Sequence, residues 1–503
     1  MKYTNPVIPG FHPDPSVCKK GEDYYLVTSS FEYFPGVPVF HSRDLIHWEQ
    51  IGHCLTRRSQ LDLEGAPCAG GIFAPTLRYH NGLFYMITTN VSGRGNFYVT
   101  AKDPAGEWSD PVWVDEGFFD PSLLFDDDGK VYYTRRQGES IVQAEIDINT
   151  GKLLTDLRVV REGMCSPDVE GPHLYKINGM YYMMCAEGGT RRGHMETIGR
   201  STSPWGPFQP CPHNPILTHR NYTSEPIRDT GHAELVEAHD GSWWAFFLGT
   251  RHYEYDGLTH LGRETFLTPV TWTEDGWPVV NEGKPIKLEM VCKAALKPES
   301  RKQVEPVRDN FDSRSLRLCW NYIRNPVEEN YSLSERPGFL RLWGAQHKLE
   351  DSAVVTFLGR RQTQFVCTIS ALLEFTPESE NEEAGLAVYM SSTHHYAMGV
   401  RKQEDQRVVF VRKRVDDLRS EHIEHIPGNG AVTLQIDADE RKYYFSYSVG
   451  GEMKELSTGI AKYISAELAG GWNGVMMGMY ASGNGKKSNS PVDFDWFDYS
   501  EIE

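Results

Sequence analysis

Apolar and polar residues alternate in short segments along the chain, and long segments with a helical apolar period are hard to find. A period of two residues is typical of β-strands that bury one face. One unit recurs five times: a short anchor, an apolar position, a Gly-containing turn and an aromatic pair. The copies are DPSVCKKGEDYYLV, APTLRYHNGLFYMI, DPSLLFDDDGKVYY, GPHLYKINGMYYMM and HAELVEAHDGSWWAFF, anchored at Asp14, Ala74, Asp120, Gly171 and His232.

Each copy places a glycine at a nearly fixed distance after its anchor: Gly21, Gly82, Gly129, Gly179 and Gly241. Asn-Gly and Asp-Gly between alternating segments predict β-hairpins, because type I′ turns need positive φ at both central residues. The anchors lie 46 to 61 residues apart, a spacing typical of four-stranded propeller blades. The sequence therefore predicts an all-β protein with an N-terminal five-bladed β-propeller.

A run of three aspartates, Asp126 to Asp128, falls where the sister repeats have their hairpin turns. A calcium loop is the alternative, but the D-x-D-x-D-G spacing and a distal glutamate are missing. We interpret the run as part of a turn.

The repeat ends after TWTEDGWPVV, and a polar, proline-bearing segment follows. A chain of 503 residues exceeds what one core usually supports, so we expect two domains, over residues 1–295 and 308–503. Segments such as GFLRLWG, GLAVYM and VVFVRKR alternate apolar and polar residues in the second one. They predict an antiparallel β-sandwich.

The formal net charge is −18, without a Lys/Arg-rich run. Nucleic-acid binding needs a basic face, so a neutral or small polar substrate fits better. The nine cysteines form no C-x-x-C pair and are interpreted as reduced thiols. The N-terminal residues lack an apolar signal-peptide region, and no segment approaches the length of a membrane-spanning helix. We expect a cytoplasmic protein with no membrane partner.

Three carboxylates are predicted to meet at one end of the propeller channel. Asp14 and Asp120 are anchors, and Glu170 directly precedes the fourth anchor. Clustered carboxylates repel one another, so a function that uses them together is expected. Hydrolysis of glycosidic bonds is such a function. One carboxylic acid protonates the leaving oxygen, while another carboxylate activates water or attacks the sugar. Asp-Pro at the start of a strand is also a common turn dipeptide, which is the structural alternative for either aspartate.

Four segments carry a family resemblance: NPVIPGFHPDPSV, GFFDPSLLFDDDGKVYY, SPDVEGPHLYK and LGRETFLTPVTWTEDGWPVV. They resemble glycoside hydrolase family 43, in its two-domain β-xylosidase and α-L-arabinofuranosidase branch. The resemblance implies an inverting enzyme whose C-terminal domain is a concanavalin-like jelly roll. It also implies that Asp14 is the general base, Glu170 the general acid, and Asp120 the residue that tunes and orients the acid. Inversion requires the Asp14 and Glu170 carboxyl groups to be roughly 6.5 to 9.5 Å apart.

The resemblance further implies substrate-binding residues. Arg263 in GRETFL matches a substrate-binding arginine, although an outer-strand surface arginine is the alternative. His232 is expected beneath the sugar, where similar enzymes sometimes hold a hydrated calcium ion. A satisfied core histidine is the competing interpretation.

Aromatic and small residues complete the expected pocket. Phe31 and Phe73 match aromatic walls, and Ala74 and Thr190 match pocket-lining positions. Phe73 replaces the tryptophan expected in the β-xylosidase group, which leaves the choice between xylose and arabinose open. Trp472, in the glycine-rich segment AGGWNGVMMG, is expected either to cover the pocket from the second domain or to lie in a core.

Arg191 and Arg192 replace smaller residues of the family. They could shape the leaving-group side of the pocket, and solvated loop charges are the default interpretation.

The function that these observations favour is release of β-D-xylose from the non-reducing ends of β-1,4-xylo-oligosaccharides. Release of α-L-arabinofuranose, alone or in the same pocket, is the close alternative. A carbohydrate-binding propeller without catalysis is the remote one. The chemistry requires no cofactor. The one metal that the resemblance allows is a structural Ca²⁺ in the channel. The chain could also form a homo-oligomer.

Overall fold

Antiparallel sheets make up almost the entire computed structural model, which describes residues 2–253, 258–291 and 306–501. The N-terminal part contains five blades. Blade 1 consists of Ser16–Lys20, Asp23–Val27, Gly36–Ser42 and Glu49–Leu55. Blade 2 consists of Thr76–His80, Leu83–Asn90, Gly95–Ala101 and Val112–Asp115. Blade 3 consists of Ser122–Phe125, Val131–Gln137, Ser140–Asp147, Lys152–Leu153 and Arg158–Glu162. Blade 4 consists of Val169–Ile177, Met180–Glu187, Met195–Ser201 and Gln209–Pro210. Blade 5 consists of Ile227–Glu237, Trp243–Arg251, Arg263–Trp272 and Pro278–Val280.

The first strands of the five blades form a closed ring, since each contacts the first strand of the next blade and the fifth contacts the first. The predicted propeller is therefore confirmed. Each of the five turn glycines has a positive φ, between 66° and 86°, as their hairpins require. Asp126 lies in such a turn, and its carboxylate accepts hydrogen bonds from Lys176 and Tyr181 of blade 4. The aspartate run thus shapes a turn, as predicted.

The N-terminal segment closes the circle against blade 5. Lys2–Thr4 pairs with Glu289–Val291, and Ile8 bridges to Thr265 in the third strand of the blade. Through these pairings the N-terminal segment holds the two ends of the propeller together.

A buried ion pair joins all five blades inside the channel. Glu234 of blade 5 accepts a hydrogen bond from Ser16 of blade 1 at 2.5 Å and pairs with the Arg78 guanidinium of blade 2. Arg78 also donates to the Leu123 carbonyl of blade 3 at 3.0 Å and lies 3.2 Å from a ring nitrogen of His173 in blade 4. Glu234 is 1% exposed, so this network links the inner strands around a buried charge.

The C-terminal part is a sandwich of two sheets around one core. One sheet contains Arg308–Asp309, Tyr331–Ser332, Leu340–Leu342, Cys367–Glu374, Val432–Ala438, Lys442–Ser448, Lys454–Ile460 and Val492–Glu501. The other contains Thr356–Arg361, Glu383–Tyr389, His394–Gln403, Gln406–Val415, Leu418–His425 and Met476–Ser482. Helical segments in the described residues are short: Asn281–Gly283, Glu328–Asn330, Ala461–Ile464 and Ala466–Ala469. Among these residues no helix has both the length and the apolar character needed to cross a membrane.

The two domains share a strand pair and a hydrophobic cluster. Tyr33–Phe34 of the propeller pairs with Tyr322–Ile323, and Phe11 and Phe31 pack with Phe357 of the sandwich. The expected boundary, between residues 295 and 308, falls largely within residues 292–305, which lie outside the described part of the chain. This packing brings one edge of the sandwich to the mouth of the channel.

Candidate active site

One pocket of about 260 Å³ at the channel end brings together every residue predicted for the site. They are Asp14, Phe31, Phe73, Ala74, Asp120, Glu170, Thr190, His232 and Arg263. The same pocket is also lined by Phe119, Arg136, Asp168, Gly189 and Trp472. A larger cavity of about 840 Å³, around Trp320 and Tyr331, is lined by no carboxylate. The chemistry therefore points to the smaller pocket.

Four of the five anchors have left-handed backbone: φ is 55° at Asp14, 59° at Asp120, 56° at Gly171 and 51° at His232. Residues other than glycine rarely adopt this conformation, and such strain is concentrated at functional sites. Gly171 has a further constraint, because a Cβ there would lie 2.9 Å from the His232 ring. The glycine of the EGPH segment thus makes room for the histidine.

Asp14 is a buried carboxylate with three polar neighbours. Ser29 donates a hydrogen bond to Oδ2 at 2.5 Å, Arg263 donates to Oδ1 at 3.0 Å, and Nδ1 of His232 lies 3.8 Å from Oδ1. Burial raises the pKa of Asp14, but the charge of Arg263, with His232 and the Ser29 bond, outweighs burial and holds the pKa below its usual value. Asp14 is therefore ionised at neutral pH, as a general base must be.

Asp120 has the opposite electrostatic environment. Its Oδ2 accepts the Gly171 N–H at 3.0 Å. Burial, together with the charges of Glu170 and Asp14, raises the pKa of Asp120 to about 7, although His232 and the Gly171 N–H act against the increase. The environments of Asp14 and Asp120 push their pKa values apart, an arrangement typical of acid–base sites.

Replacing Asp120 by Asn is expected to stabilise the fold at pH 8 while reducing activity. The ordinary pKa is 3.8 and the folded one about 7, so stability is lost as pH rises between these values and the loss is complete above pH 7. The neutral amide avoids this cost of holding a charge in the buried site. Thermal unfolding of both proteins should be measured from pH 4 to pH 8. The melting temperature of the variant should exceed that of the wild type at pH 8, and the difference should disappear toward pH 4. A gain independent of pH would contradict this origin.

Glu170 lies in the first strand of blade 4 and faces an arginine that the sequence analysis missed. Arg136 of blade 3 donates from Nη1 to Oε2 of Glu170 at 2.9 Å, and its Nη2 lies 3.8 Å from Asp168. Its guanidinium is 5.2 Å from the centre of the Phe119 ring. No sequence signal distinguished Arg136, because the TRRQ segment occurs once and lies outside the repeated unit.

Aromatic rings form a continuous wall on one side of the pocket. The rings of Phe31 and Phe73 lie 5.3 Å apart, and those of Phe73 and Phe119 lie 5.5 Å apart. Arg263 lies 5.4 Å above the Phe31 ring. Aromatic faces suit the apolar faces of sugar rings, and the arginine next to them can bond to hydroxyl groups.

Trp472 reaches the pocket from the second domain. Its ring packs next to the interdomain cluster, and the guanidinium groups of Arg191 and Arg263 lie 5.5 Å and 5.9 Å from its centre. Of the two alternatives for this residue, the structure shows the one in which the sandwich contributes a pocket wall.

Contacts on both sides of Trp472 fasten its loop to the propeller. Arg191 donates a hydrogen bond to the Gly471 carbonyl at 2.9 Å, and Asn473 donates to Oε1 of Glu32 at 2.7 Å. The interpretation of Arg191 as a solvated charge was therefore wrong, because this side chain bridges the two domains. Arg192, next to it, is exposed as expected.

The described side chains around His232 do not form a calcium site of their own. Ca²⁺ takes six to eight oxygen ligands, and among the described residues no group of three or more His, Cys, Asp or Glu side chains could hold a metal. The Asp14 oxygen near His232 is already bonded to Arg263. His232 acts here as a partner of Asp14 and Asp120.

Two family models match the chain. The model for Glycosyl hydrolases family 43 matches residues 3–278, and the model for the beta xylosidase C-terminal concanavalin A-like domain matches residues 308–500. The two matches coincide with the propeller and the sandwich.

Full-length relatives share both domains. A non-reducing end α-L-arabinofuranosidase of Bacteroides ovatus is 46% identical over 99% of this chain and 94% of its own. A xylosidase/arabinosidase of Butyrivibrio fibrisolvens is 40% identical over 99% of both chains. Among solved structures, the Bacteroides ovatus xyloglucan PUL GH43B has a TM-score of 0.97 and 45% identity, with both chains covered completely. A xylan β-1,4-xylosidase of Bacillus halodurans has a TM-score of 0.94 and 35% identity, over 99% of this chain and 100% of its own.

Proposed function

We propose, because this chain belongs to glycoside hydrolase family 43, that it removes terminal β-D-xylose from the non-reducing ends of short β-1,4-xylo-oligosaccharides. The observation that carries the proposal is the meeting of Asp14, Asp120 and Glu170 in one small pocket with aromatic walls. Its volume of about 260 Å³ is slightly below the roughly 300–1,000 Å³ of typical small-molecule sites. Such a space suits one terminal sugar, and Trp472 narrows it from above.

The proposed mechanism is a single displacement with inversion. Ionised Asp14 accepts a proton from a water molecule, whose oxygen attacks the anomeric carbon. Glu170 donates its proton to the glycosidic oxygen as the bond to the leaving sugar breaks. Asp120, close enough to Glu170 for their charges to interact, orients the acid and disfavours a further negative charge beside it. Arg263 holds Asp14 and is placed to bond sugar hydroxyls.

Inversion predicts the configuration of the first product. If water attacks opposite to the leaving group, a β-xyloside releases α-xylose before the free sugar equilibrates. Proton NMR during the first minutes of hydrolysis should therefore show the α-anomer signal rising first. Initial appearance of β-xylose would indicate a double displacement and contradict the role given to Asp14.

α-L-Arabinofuranose is the second candidate substrate. Two observations favour it: the Bacteroides ovatus relative that is 46% identical is named an α-L-arabinofuranosidase, and Phe73 stands where a tryptophan is expected in the β-xylosidase group. One pocket could accept both sugars, and the Butyrivibrio fibrisolvens relative carries both activities in its name.

Initial rates on nitrophenyl β-D-xylopyranoside and nitrophenyl α-L-arabinofuranoside test the proposal directly. A higher kcat/KM on the xyloside supports the first candidate, and the reverse order supports the second. Turnover of neither glycoside, combined with measurable binding of xylobiose, would replace both with a carbohydrate-binding function. Repeating the measurement after treatment with EDTA tests whether the activity depends on a calcium ion, and an unchanged rate is expected because the described side chains form no calcium site of their own.

A cytoplasmic location is part of this proposal. None of the eight cysteines in the described residues forms a disulfide, which suits a reducing compartment.

A further inference from the structure

We infer that Arg136, Asp168 and the Phe118–Phe119 pair form a subsite for the leaving sugar, the one released when the glycosidic bond breaks. The inference rests on the proposed function, because it extends the same pocket beyond the terminal sugar. It assigns Arg136 to recognition of an oligosaccharide leaving group and to the orientation of Glu170.

The location follows from the role of the general acid. A proton donor must lie beside the glycosidic oxygen that it protonates, so the leaving sugar lies on the side of the pocket where Glu170 is found. Arg136 bonds to Glu170, whereas the other pocket arginine, Arg263, bonds to Asp14. The proposed acid and the proposed base thus each have their own guanidinium, and that of Arg136 lies on the leaving side.

Arg136 is held in a fixed orientation but retains donor capacity. Its Nε donates to the Gly138 carbonyl at 2.9 Å, its Nη1 donates to Glu170 at 2.9 Å, and its guanidinium stacks on Phe119. The Asp168 carboxylate lies 3.8 Å from Nη2, beyond hydrogen-bond distance. A sugar hydroxyl could therefore insert at Nη2 and bond to both groups.

The remaining residues form a surface that a second sugar ring could contact. The Asp168 side chain is 59% exposed, so it can accept hydroxyl hydrogen bonds at little desolvation cost. Phe118 is 45% exposed, and its ring lies 6.2 Å from that of Phe119. The aromatic wall of the pocket thus continues outward past Glu170, where the next sugar of the chain is expected.

Substrates that differ only in their leaving group test the inference. A 2,4-dinitrophenyl glycoside needs neither protonation nor a sugar-binding subsite, whereas xylobiose, or the matching arabinofuranosyl disaccharide, needs both. We expect Arg136→Gln to lower kcat/KM on the disaccharide about 10- to 100-fold, the value of one or two charge-assisted hydrogen bonds. The rate on the dinitrophenyl glycoside should change less than about threefold, and Arg136→Lys should recover part of the loss.

Controls separate this inference from structural damage and from the proposed function. Arg192→Gln, an exposed arginine on a nearby loop, should leave both rates unchanged. If Arg136→Gln does not fold, Phe118→Ala decides, with a loss on the disaccharide alone as the supporting result. An equal loss on both substrates, or none, overturns the inference. A wild-type enzyme that hydrolyses neither substrate overturns the proposed function instead.

Discussion

Replacing Glu170 by Gln is expected to lower kcat/KM on oligosaccharides roughly 10²- to 10⁴-fold, the usual contribution of general acid–base catalysis. The amide keeps the shape of the side chain but carries no transferable proton. Replacing Asp14 by Asn should have an effect of similar size, because the amide cannot accept a proton from water. Steady-state rates on xylobiose or on the preferred disaccharide measure both effects.

Asp128, a carboxylate that does not line the pocket, provides the control for these variants. Asp128 lies in the hairpin turn of blade 3 and is bonded to the Lys130 N–H, so Asp128→Asn should retain normal rates. Thermal unfolding must show that the Glu170 and Asp14 variants remain folded. Near-normal turnover in either variant would remove that residue from the proposed mechanism.

Replacing Arg78 by Met is expected to destabilise the propeller by about 3–5 kcal/mol, the usual cost of removing one partner of a buried ion pair. The substitution leaves the Glu234 carboxylate, which is 1% exposed, without its positive partner. It also removes the bonds to Leu123 and His173, so the inner strands lose their shared contact. The melting temperature of the propeller transition should fall by roughly 10 °C.

A double variant tests whether the unpaired charge causes this loss. Arg78→Met combined with Glu234→Gln should recover part of the stability, because no buried charge is left unpaired. Arg94→Met, at an exposed position on the same blade, should leave the melting temperature unchanged. If the double variant is less stable than Arg78→Met alone, packing rather than charge controls the channel.

The repeated features of the chain were the ones that could be predicted from sequence. The five turn glycines and the anchors have periodic positions, and closure of the ring then brings Asp14, Asp120 and Glu170 together. Contacts that occur once in the fold carry no such signal. Glu32 meets Asn473 across 441 positions of sequence, and Arg136 reaches Glu170 from the neighbouring blade. Side chains of this kind are selected by packing in three dimensions, which a one-dimensional pattern does not record.

The contribution of Trp472 to the pocket affects when the enzyme first becomes complete during synthesis. The ribosome finishes all five blades before it reaches Trp472 in the second domain. A nascent propeller therefore presents its acidic residues with one wall still missing. The pocket wall that Trp472 contributes is therefore present only in chains that extend through this residue, and shorter chains lack it.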